Sequence, residues 1–268
     1  MTIDSAADRP GGSAAGRSEH GSGRPQSAAD RSARARLTRA EQAEVMVVVA
    51  ARDEAERIDA TLAALAHAFP GAHVWVADDG SRDATAEIAR AAGARVLSGA
   101  RPLGKGGAMT AAVRAALAHV HDERAAPVFV LCDGDLAGSA GELGALADAI
   151  ARGRADVAVG AFANPLGGGV GLARGFARWA IRRRCGLSTR APISGQRALS
   201  ARALGDVLPF AHGYGMELGM TIDAVRAGRR VIELRLPLAH RASGRTPAGF
   251  AHRARQLVDL VRAYVARA

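Results

Sequence analysis

From residue 44 onward the chain alternates two hydrophobic rhythms. "EVMVVVAA" (44–51) is a nearly continuous, valine-rich apolar run, the pattern of a strand buried on both faces. "RIDATLAALAHAF" (57–69) repeats apolar residues at helical spacing and stops at Pro70-Gly71. The strand "AHVWVADDGS" follows, then a helix "RDATAEIARAAG" with Gly93 where a C-cap belongs and Ser81 or Asp83 placed to cap its start. A short strand "ARVLS", a helix "GGAMTAAVRAALAHV", a strand "APVFVLCDGDL", a helix "AGELGALADAIARG" and a strand "ADVAVGAFA" continue the alternation. Strand and helix in strict succession predict an α/β fold whose mostly parallel sheet is covered on both faces by right-handed crossovers.

The last third is less regular. "GGGVGLARGFARWAIRRRCGL" opens as a glycine loop and becomes a basic helix with Leu172, Phe176, Trp179 and Ile181 on or near one face. "APISGQRALSARAL" and "GYGMELGMTIDAVRAG" follow, then "RRVIELRLPLAHRASGR", read as a strand closed by His240 and Arg241, and an amphipathic helix "GFAHRARQLVDLVRAYV". No internal repeat is present. Ahead of the first strand, residues 1–42 lack aliphatic residues between Ile3 and Leu37 and are crowded with Gly, Ser, Ala, Arg and Pro. Such a stretch cannot offset the entropy of ordering, so it reads as a flexible basic tail before one domain, 43–268, with a first half 43–163 and a second half 164–268.

Composition narrows the class. No run of eighteen apolar residues occurs and the tail has no apolar signal core, so the chain reads as soluble or peripheral. The two cysteines, Cys132 and Cys185, fit no metal spacing and suit a reduced, cytoplasmic compartment. A net charge of +10 suits nucleic acid, an anionic membrane surface or a phosphorylated substrate. Aromatic residues, at 4%, are too sparse for single-strand stacking platforms, and no DNA-binding motif is present, so no specific nucleic acid is expected.

In parallel sheets ligands sit beyond the carboxyl ends of the strands. Four polar clusters fall at that rim: Arg52-Asp53-Glu54, Asp78-Asp79-Gly80-Ser81, the loop holding Lys105, and Asp133-Gly134-Asp135. Asp133 and Asp135 are spaced to aim oxygens at one divalent cation, which can neutralise a diphosphate. Lys105 is the sole lysine of a chain with 36 lysine and arginine residues, and its flanking glycines open a helix whose N–H groups favour anions. The spacing is not that of a Walker A loop, and no GxGxxG follows the first strand. His240 could complete a metal site with the acid pair, while arginines neutralise phosphate.

These residues in this order resemble the family 2 glycosyltransferases and their GT-A relatives over roughly residues 45 to 250. "VVVAARDEAERI" is similar to the opening strand and loop, with Ala50 for the usual proline and Asp53 for the usual asparagine. "VADDGSRDAT", "GKGGAM" and "CDGDL" match the nucleotide-binding, GKG and DxD segments. The resemblance implies glycosyl transfer from a UDP- or GDP-sugar, with Ala51, Asp53 and Glu54 lining the nucleoside pocket, Asp79 at the base and Lys105 near the nucleotide. Asp133 and Asp135 would hold Mg2+ or Mn2+, joined by His240. The second half is similar both to polyprenyl-phosphate sugar synthases of the dolichol-phosphate mannose type and to glucosyl-3-phosphoglycerate synthases. Both imply a phosphate-bearing acceptor, a lipid phosphate or phosphoglycerate, and the amphipathic basic helix around Trp179 favours the lipid.

The expected chemistry is departure of the diphosphate from the anomeric carbon while the metal on Asp133 and Asp135 absorbs charge. Arg197, Arg241 and Arg245 would hold an acceptor phosphate, Ser194 and Gln196 would orient it, and Glu217 would be the base if a hydroxyl attacked. Peripheral contact with the inner face of a membrane and a homodimer are left open. The rival of another class is a non-catalytic module that holds lipid or nucleic acid on its basic surface. A sugar-phosphate nucleotidyltransferase is disfavoured because its glycine-rich opening is missing after Val49.

Overall fold

The computed structural model describes residues 44–99, 101–120, 127–163, 171–239 and 247–268. The expected tail, 1–42, lies outside them, as do most of the glycine loop before the basic helix and the three site candidates His240, Arg241 and Arg245.

Seven strands form one sheet: β1 (Val45–Ala51), β2 (His73–Asp78), β3 (Arg95–Ser98), β4 (Val128–Asp133), β5 (Val157–Phe162), β6 (Arg197–Ser200) and β7 (Val231–Leu236). Their spatial order is β3-β2-β1-β4-β6-β5-β7. Every pairing is parallel except those of β6, which runs antiparallel to β4 and β5. The helices are α1 (Ile58–Ala68), α2 (Thr85–Ala91), α3 (Lys105–Leu117), α4 (Gly144–Ala151), α5 (Leu172–Cys185), α6 (Ala201–Val207), α7 (Met216–Arg226) and α8 (Pro247–Val265).

The valine runs behave as their pattern predicts. Val47 and Val49 point to one face with Ile58, Leu62 and Leu65 of α1 and Leu146 of α4. Met46 and Val48 point to the other with Met109 and Val113 of α3, Leu204 of α6 and Met220 of α7. A third cluster, Ala177, Ile181, Leu218, Ile222 and Leu260, joins α5, α7 and α8 into a helical layer.

Three details differ from the pattern reading. The helix expected from residue 140 begins as a 3-10 turn, Ala137–Leu143, and becomes α-helical only at Gly144. β7 ends at Leu236, four positions before His240. On α5 the four large apolar residues do not share a face: Ile181 is fully buried whereas Leu172 and Trp179 are exposed. Asp156 and Arg230 meet at the opposite end of the sheet, where Asp156 accepts the Arg230 N–H at 2.8 Å, so the charge there serves the turn into β7.

Candidate active site

The strand ends β1, β2 and β4 open into a cleft of about 1200 Å³, bounded on its far side by α5, α7, α8 and the segment before β6. Local hydrogen bonding explains which rim residues face it. The adjacent acids of "ADDGS" divide the work: Asp78 turns back to accept from the Ser81 N–H at 3.0 Å and the Ser81 hydroxyl at 2.5 Å, closing the turn. Asp79 faces the cleft, accepts the Leu103 N–H at 2.7 Å and lies 3.6 Å from the Arg52 guanidinium.

The β1 loop is stitched to the same turn. Asp53 N–H donates to Ser81 Oγ at 3.0 Å, Ala55 N–H to Asp83 at 3.1 Å and Glu54 N–H to Thr85 Oγ1 at 2.8 Å. Asp83 also accepts the Thr85 N–H at 3.0 Å, so Asp83 rather than Ser81 organises the start of α2. Asp53 stands half exposed at the rim between Arg52 and Glu54, and its carboxylate accepts the Arg82 N–H at 2.8 Å. With φ of 54° it occupies the left-handed region that Asp and Asn tolerate best, which is a backbone reason for an acid or amide there. Ala51 and Glu54 line the cleft, and so does Arg52.

At β4 the acid pair is held from two sides. The Gly134 N–H donates to the Ala50 carbonyl at 2.8 Å, and the buried Thr61 hydroxyl of α1 donates to the Gly134 carbonyl at 2.8 Å while accepting the Ala137 N–H at 2.8 Å. Because β6 runs antiparallel beside β4, Gln196 reaches Asp133 with both ends of its amide, Nε2 donating to Oδ2 at 2.8 Å and Oε1 accepting the Asp133 N–H at 3.1 Å. The expected acceptor-orienting role of Gln196 gives way to this one, since its amide is committed to Asp133. The Ser194 hydroxyl likewise donates to the Gly160 carbonyl at 2.6 Å, although the residue still lines the cleft.

Lys105 sits at the centre. Its ammonium is 2.6 Å from Asp133 Oδ1 and 2.6 Å from Glu217 Oε1, bridging β4 to the first turn of α7. Burial alone would favour the neutral amine, but the two carboxylates outweigh it and hold Lys105 above the ordinary lysine range, so it stays charged. Room for this contact depends on glycine: a Cβ on Gly195 would lie 2.7 Å from Asp133 Oδ2 and 2.8 Å from the Lys105 nitrogen. Gly106 packs so tightly under the Ala211 carbonyl that any side chain would overlap it.

Arg197 corrects a second expectation. It is fully buried beneath the cleft, its Nε donating to the Ser194 carbonyl at 2.9 Å and Nη1 to Thr221 Oγ1 at 2.9 Å. Burial pulls its guanidinium down to about 10, with Glu217 and Glu233 opposing, so it remains cationic at neutral pH but offers nothing to a ligand in the cleft. Cys132, buried next to Asp133, is pushed upward by burial first and by that acid second, which keeps the thiol protonated and unreactive.

The cationic wall is built instead from residues that the motif reading passed over. Arg174 and Arg178 of α5, Arg190, Arg235 of β7 and Arg255 of α8 all line the cleft. Three had a visible signal: Arg174 and Arg178 are one helical turn apart and must share a face, and Arg235 alternates with Leu234 and Leu236 along a strand. His212, Tyr214 and Asp259 complete the wall, with the Tyr214 N–H donating to Asp259 at 3.1 Å. Burial raises the Tyr214 phenol, so it faces the cleft as a neutral hydroxyl.

Asp133 and Asp135 both line the cleft, and hard carboxylate oxygens suit Mg2+ or Mn2+, ions that complete their shells with water and substrate phosphate. Among the described residues no set of three His, Cys, Asp or Glu side chains forms a metal cage. The donor set therefore fits a cation that shares its coordination with a phosphate-bearing ligand. Each Asp133 oxygen already carries a contact, Oδ1 with the Lys105 ammonium and Oδ2 with the Gln196 amide.

A mixed, mostly parallel sheet carrying an acid pair at the end of β4 over a cleft of this kind defines a GT-A type glycosyltransferase fold. The family model for glycosyl transferase family 2 matches residues 46–199, and the chain belongs to that family. It is 31% identical over 214 residues to an undecaprenyl-phosphate mannosyltransferase of Micrococcus luteus, covering 75% of this chain and 85% of that protein. Glucosyl-3-phosphoglycerate synthase of Mycobacterium tuberculosis superposes with a TM-score of 0.66 at 24% identity, over 91% of this chain and 85% of that one, in a complex with Mn2+, UDP and glucosyl-3-phosphoglycerate. Its complex with Mn2+, UDP and phosphoglyceric acid gives a TM-score of 0.68 at 25% identity, over 87% and 81%.

Proposed function

We propose that this glycosyltransferase moves a sugar from a nucleotide-diphosphate sugar to a phosphate-bearing acceptor, with polyprenyl phosphate as that acceptor, working at the inner face of a membrane. The observation that carries this reading is one cleft lined both by the acids Asp79, Asp133 and Asp135 at the strand ends and by Arg174, Arg178, Arg190, Arg235 and Arg255. The acids suit a nucleoside and a metal-bound diphosphate, and the arginines suit a second, separate phosphate. Asp133 and Asp135 would hold Mg2+ or Mn2+, which supplies neutralisation of the diphosphate leaving group.

In this reading an oxygen of the acceptor phosphate forms the new bond to the anomeric carbon as the bond to the nucleoside diphosphate breaks and its electron pair leaves with the diphosphate. The acceptor is already anionic, so no proton need be removed. Glu217 then acts as the positioning partner of Lys105 rather than as a base, in keeping with the ammonium bound to its oxygen at 2.6 Å. Lys105 stays charged and brings a cation next to Asp133, where the diphosphate would lie. His240 as a metal ligand and Arg241 and Arg245 as acceptor ligands, all outside the described residues, belong to this proposal as expected from the sequence.

The acceptor side also depends on Glu233. Its carboxylate accepts the Arg190 N–H at 3.0 and 2.9 Å, the Ala191 N–H at 3.0 Å and the Thr189 hydroxyl, clamping the segment that carries Arg190 and Ser194 to the cleft. Glu233→Ala removes about 2 kcal/mol of loop ordering, the scale of hydrogen bonds to a charged group. The expected outcome is a KM for acceptor raised about tenfold or more, with donor affinity nearly unchanged. Glu233→Gln, which keeps one carbonyl acceptor, should recover part of it.

The test of the function is a panel of UDP- and GDP-sugars screened with Mn2+ for binding, followed by transfer assays with polyprenyl phosphate and with 3-phosphoglycerate. Transfer to polyprenyl phosphate alone is expected. Transfer to 3-phosphoglycerate alone would favour the second reading, which the structural similarity to glucosyl-3-phosphoglycerate synthase supports. Salt-sensitive lipid or nucleic-acid binding with no sugar-nucleotide binding would overturn both.

A further inference from the structure

We infer that the outer faces of α5 and α8 form a docking surface for an anionic lipid bilayer, which would bring a lipid-borne phosphate to the arginines of the cleft. The inference rests on the lipid-phosphate reading for its purpose but on separate residues for its evidence. α5 is a three-sided helix. One side, Ala177, Ala180 and Ile181, is buried against α7 and α8. A second, Arg174 and Arg178, lines the cleft. The third carries Leu172 and Trp179, 68% and 52% exposed, together with the exposed Arg182 and Arg183.

α8 continues this third side. Tyr264 packs against Phe176 and Trp179 with ring centroids 5.9 and 5.1 Å apart, and the Arg184 guanidinium lies 3.9 Å from the Tyr264 ring centroid. Beside Tyr264, Val261 and Val265 are 40% and 61% exposed. The aromatic residues are thus fixed in place with Trp179 still facing outward.

The charge states what kind of partner fits. Leu172–Cys185 holds Arg174, Arg178, Arg182, Arg183 and Arg184 and no acid. Exposed aliphatic and indole groups ringed by arginines match a bilayer interface with anionic headgroups, where Trp sits at headgroup level and each arginine gains from the surface potential. A protein partner would have to bring its own acidic rim. No helix among the described residues is long and apolar enough to cross a membrane, so contact of this kind would be peripheral. Because Arg174 and Arg178 belong to the same helix as Trp179, a headgroup held beside the outer face lies next to the arginine wall of the cleft.

The full-length chain is tested against vesicles of phosphatidylglycerol mixed with phosphatidylcholine and against phosphatidylcholine alone. Co-sedimentation with the anionic vesicles is expected, with a blue shift of tryptophan emission. The chain has two tryptophans, and Trp75 is buried, so the shift reports on Trp179. Leu172→Ser with Trp179→Ser should weaken vesicle binding about tenfold or more. Arg182→Gln with Arg183→Gln, on exposed positions, should remove the preference for anionic lipid with little change in the unfolding midpoint. Both variants should keep transfer to a short-chain, water-soluble polyprenyl phosphate and lose transfer to a long-chain acceptor embedded in vesicles.

Vesicle binding that both variants retain, or no shift in tryptophan emission, would overturn the docking surface. So would a dimer that forms in solution through Trp179 with no vesicle binding, since the face would then belong to a second copy. The two readings fail separately. Transfer to soluble polyprenyl phosphate without any vesicle binding sinks the surface and keeps the acceptor, whereas Trp179-dependent vesicle binding with transfer only to 3-phosphoglycerate sinks the acceptor and keeps the surface.

Discussion

Asp135→Ala is expected to abolish sugar transfer, lowering kcat by about a hundred- to a thousandfold, the scale of losing one principal stabiliser of developing charge. Asp133 cannot substitute for it. One Asp133 oxygen is 2.6 Å from the Lys105 ammonium and the other accepts from Gln196 at 2.8 Å, so both are already engaged within the protein. The loss should appear as a failure of Mn2+ to support turnover at any concentration, with an unfolding midpoint close to that of the parent. Full activity in a folded Asp135→Ala protein would remove Asp135 from the metal site.

Lys105→Met is expected to have the second-largest effect, and on stability as well as activity. It leaves the Asp133 and Glu217 carboxylates facing one another without the cation that each now contacts at 2.6 Å. The Glu217 side chain is only 4% exposed, so solvent offers it little relief. Breaking a buried pair from one side costs about 3 kcal/mol or more, of which partial exposure of Lys105 and Asp133 returns a share. A fall in unfolding midpoint of roughly 5–10 °C follows for a domain of this size. Glu217→Gln added to Lys105→Met should restore part of it, because it removes the stranded charge; a double-mutant cycle measures the coupling.

Lys105→Arg separates charge from shape. It keeps the positive charge but needs space for a planar fork beside Gly195, where even one added Cβ would lie 2.8 Å from the Lys105 nitrogen. Stability should be intermediate and affinity for the sugar nucleotide reduced. The pH dependence has a definite sign. Because the folded-state pKa of Lys105 is raised, its contribution is full below the unfolded lysine value of about 10.4 and is lost only above that, as pH rises through the folded value. The stability gap between parent and Lys105→Met should therefore be flat from about pH 6 to about pH 9.

Much of the fold could be read from periodicity because each local choice agreed with the next. Valine-rich runs buried on both faces, turn glycines and helical repeats all demanded a parallel sheet with two covers. The one strand that resisted was β6, four residues long, whose antiparallel direction is set by its neighbours and leaves no mark in "RALS". That strand then decided the fate of two predicted acceptor residues. Placed antiparallel beside β4, Gln196 meets Asp133, and Arg197 turns into the core to hold the Ser194 carbonyl and Thr221.

The sequence by itself determined the class of the fold, the family through "DDGS", "GKGG" and "DGD", and the rim on which the acids lie, since all of these follow from local spacing along single strands and turns. It also marked Lys105 as unusual, by composition alone. Only the tertiary structure decided what Lys105 touches, because Asp133 and Glu217 lie 28 and 112 positions away and meet it through the packing of α3 against β1 and β2, beside β4, and against the 3-10 turn Gly213–Gly215 that leads into α7. The same holds for the arginine wall, drawn from α5, β7, α8 and the segment before β6. Residues that converge from four separate elements share no spacing in the chain, and only the closed fold brings their charges to one cleft.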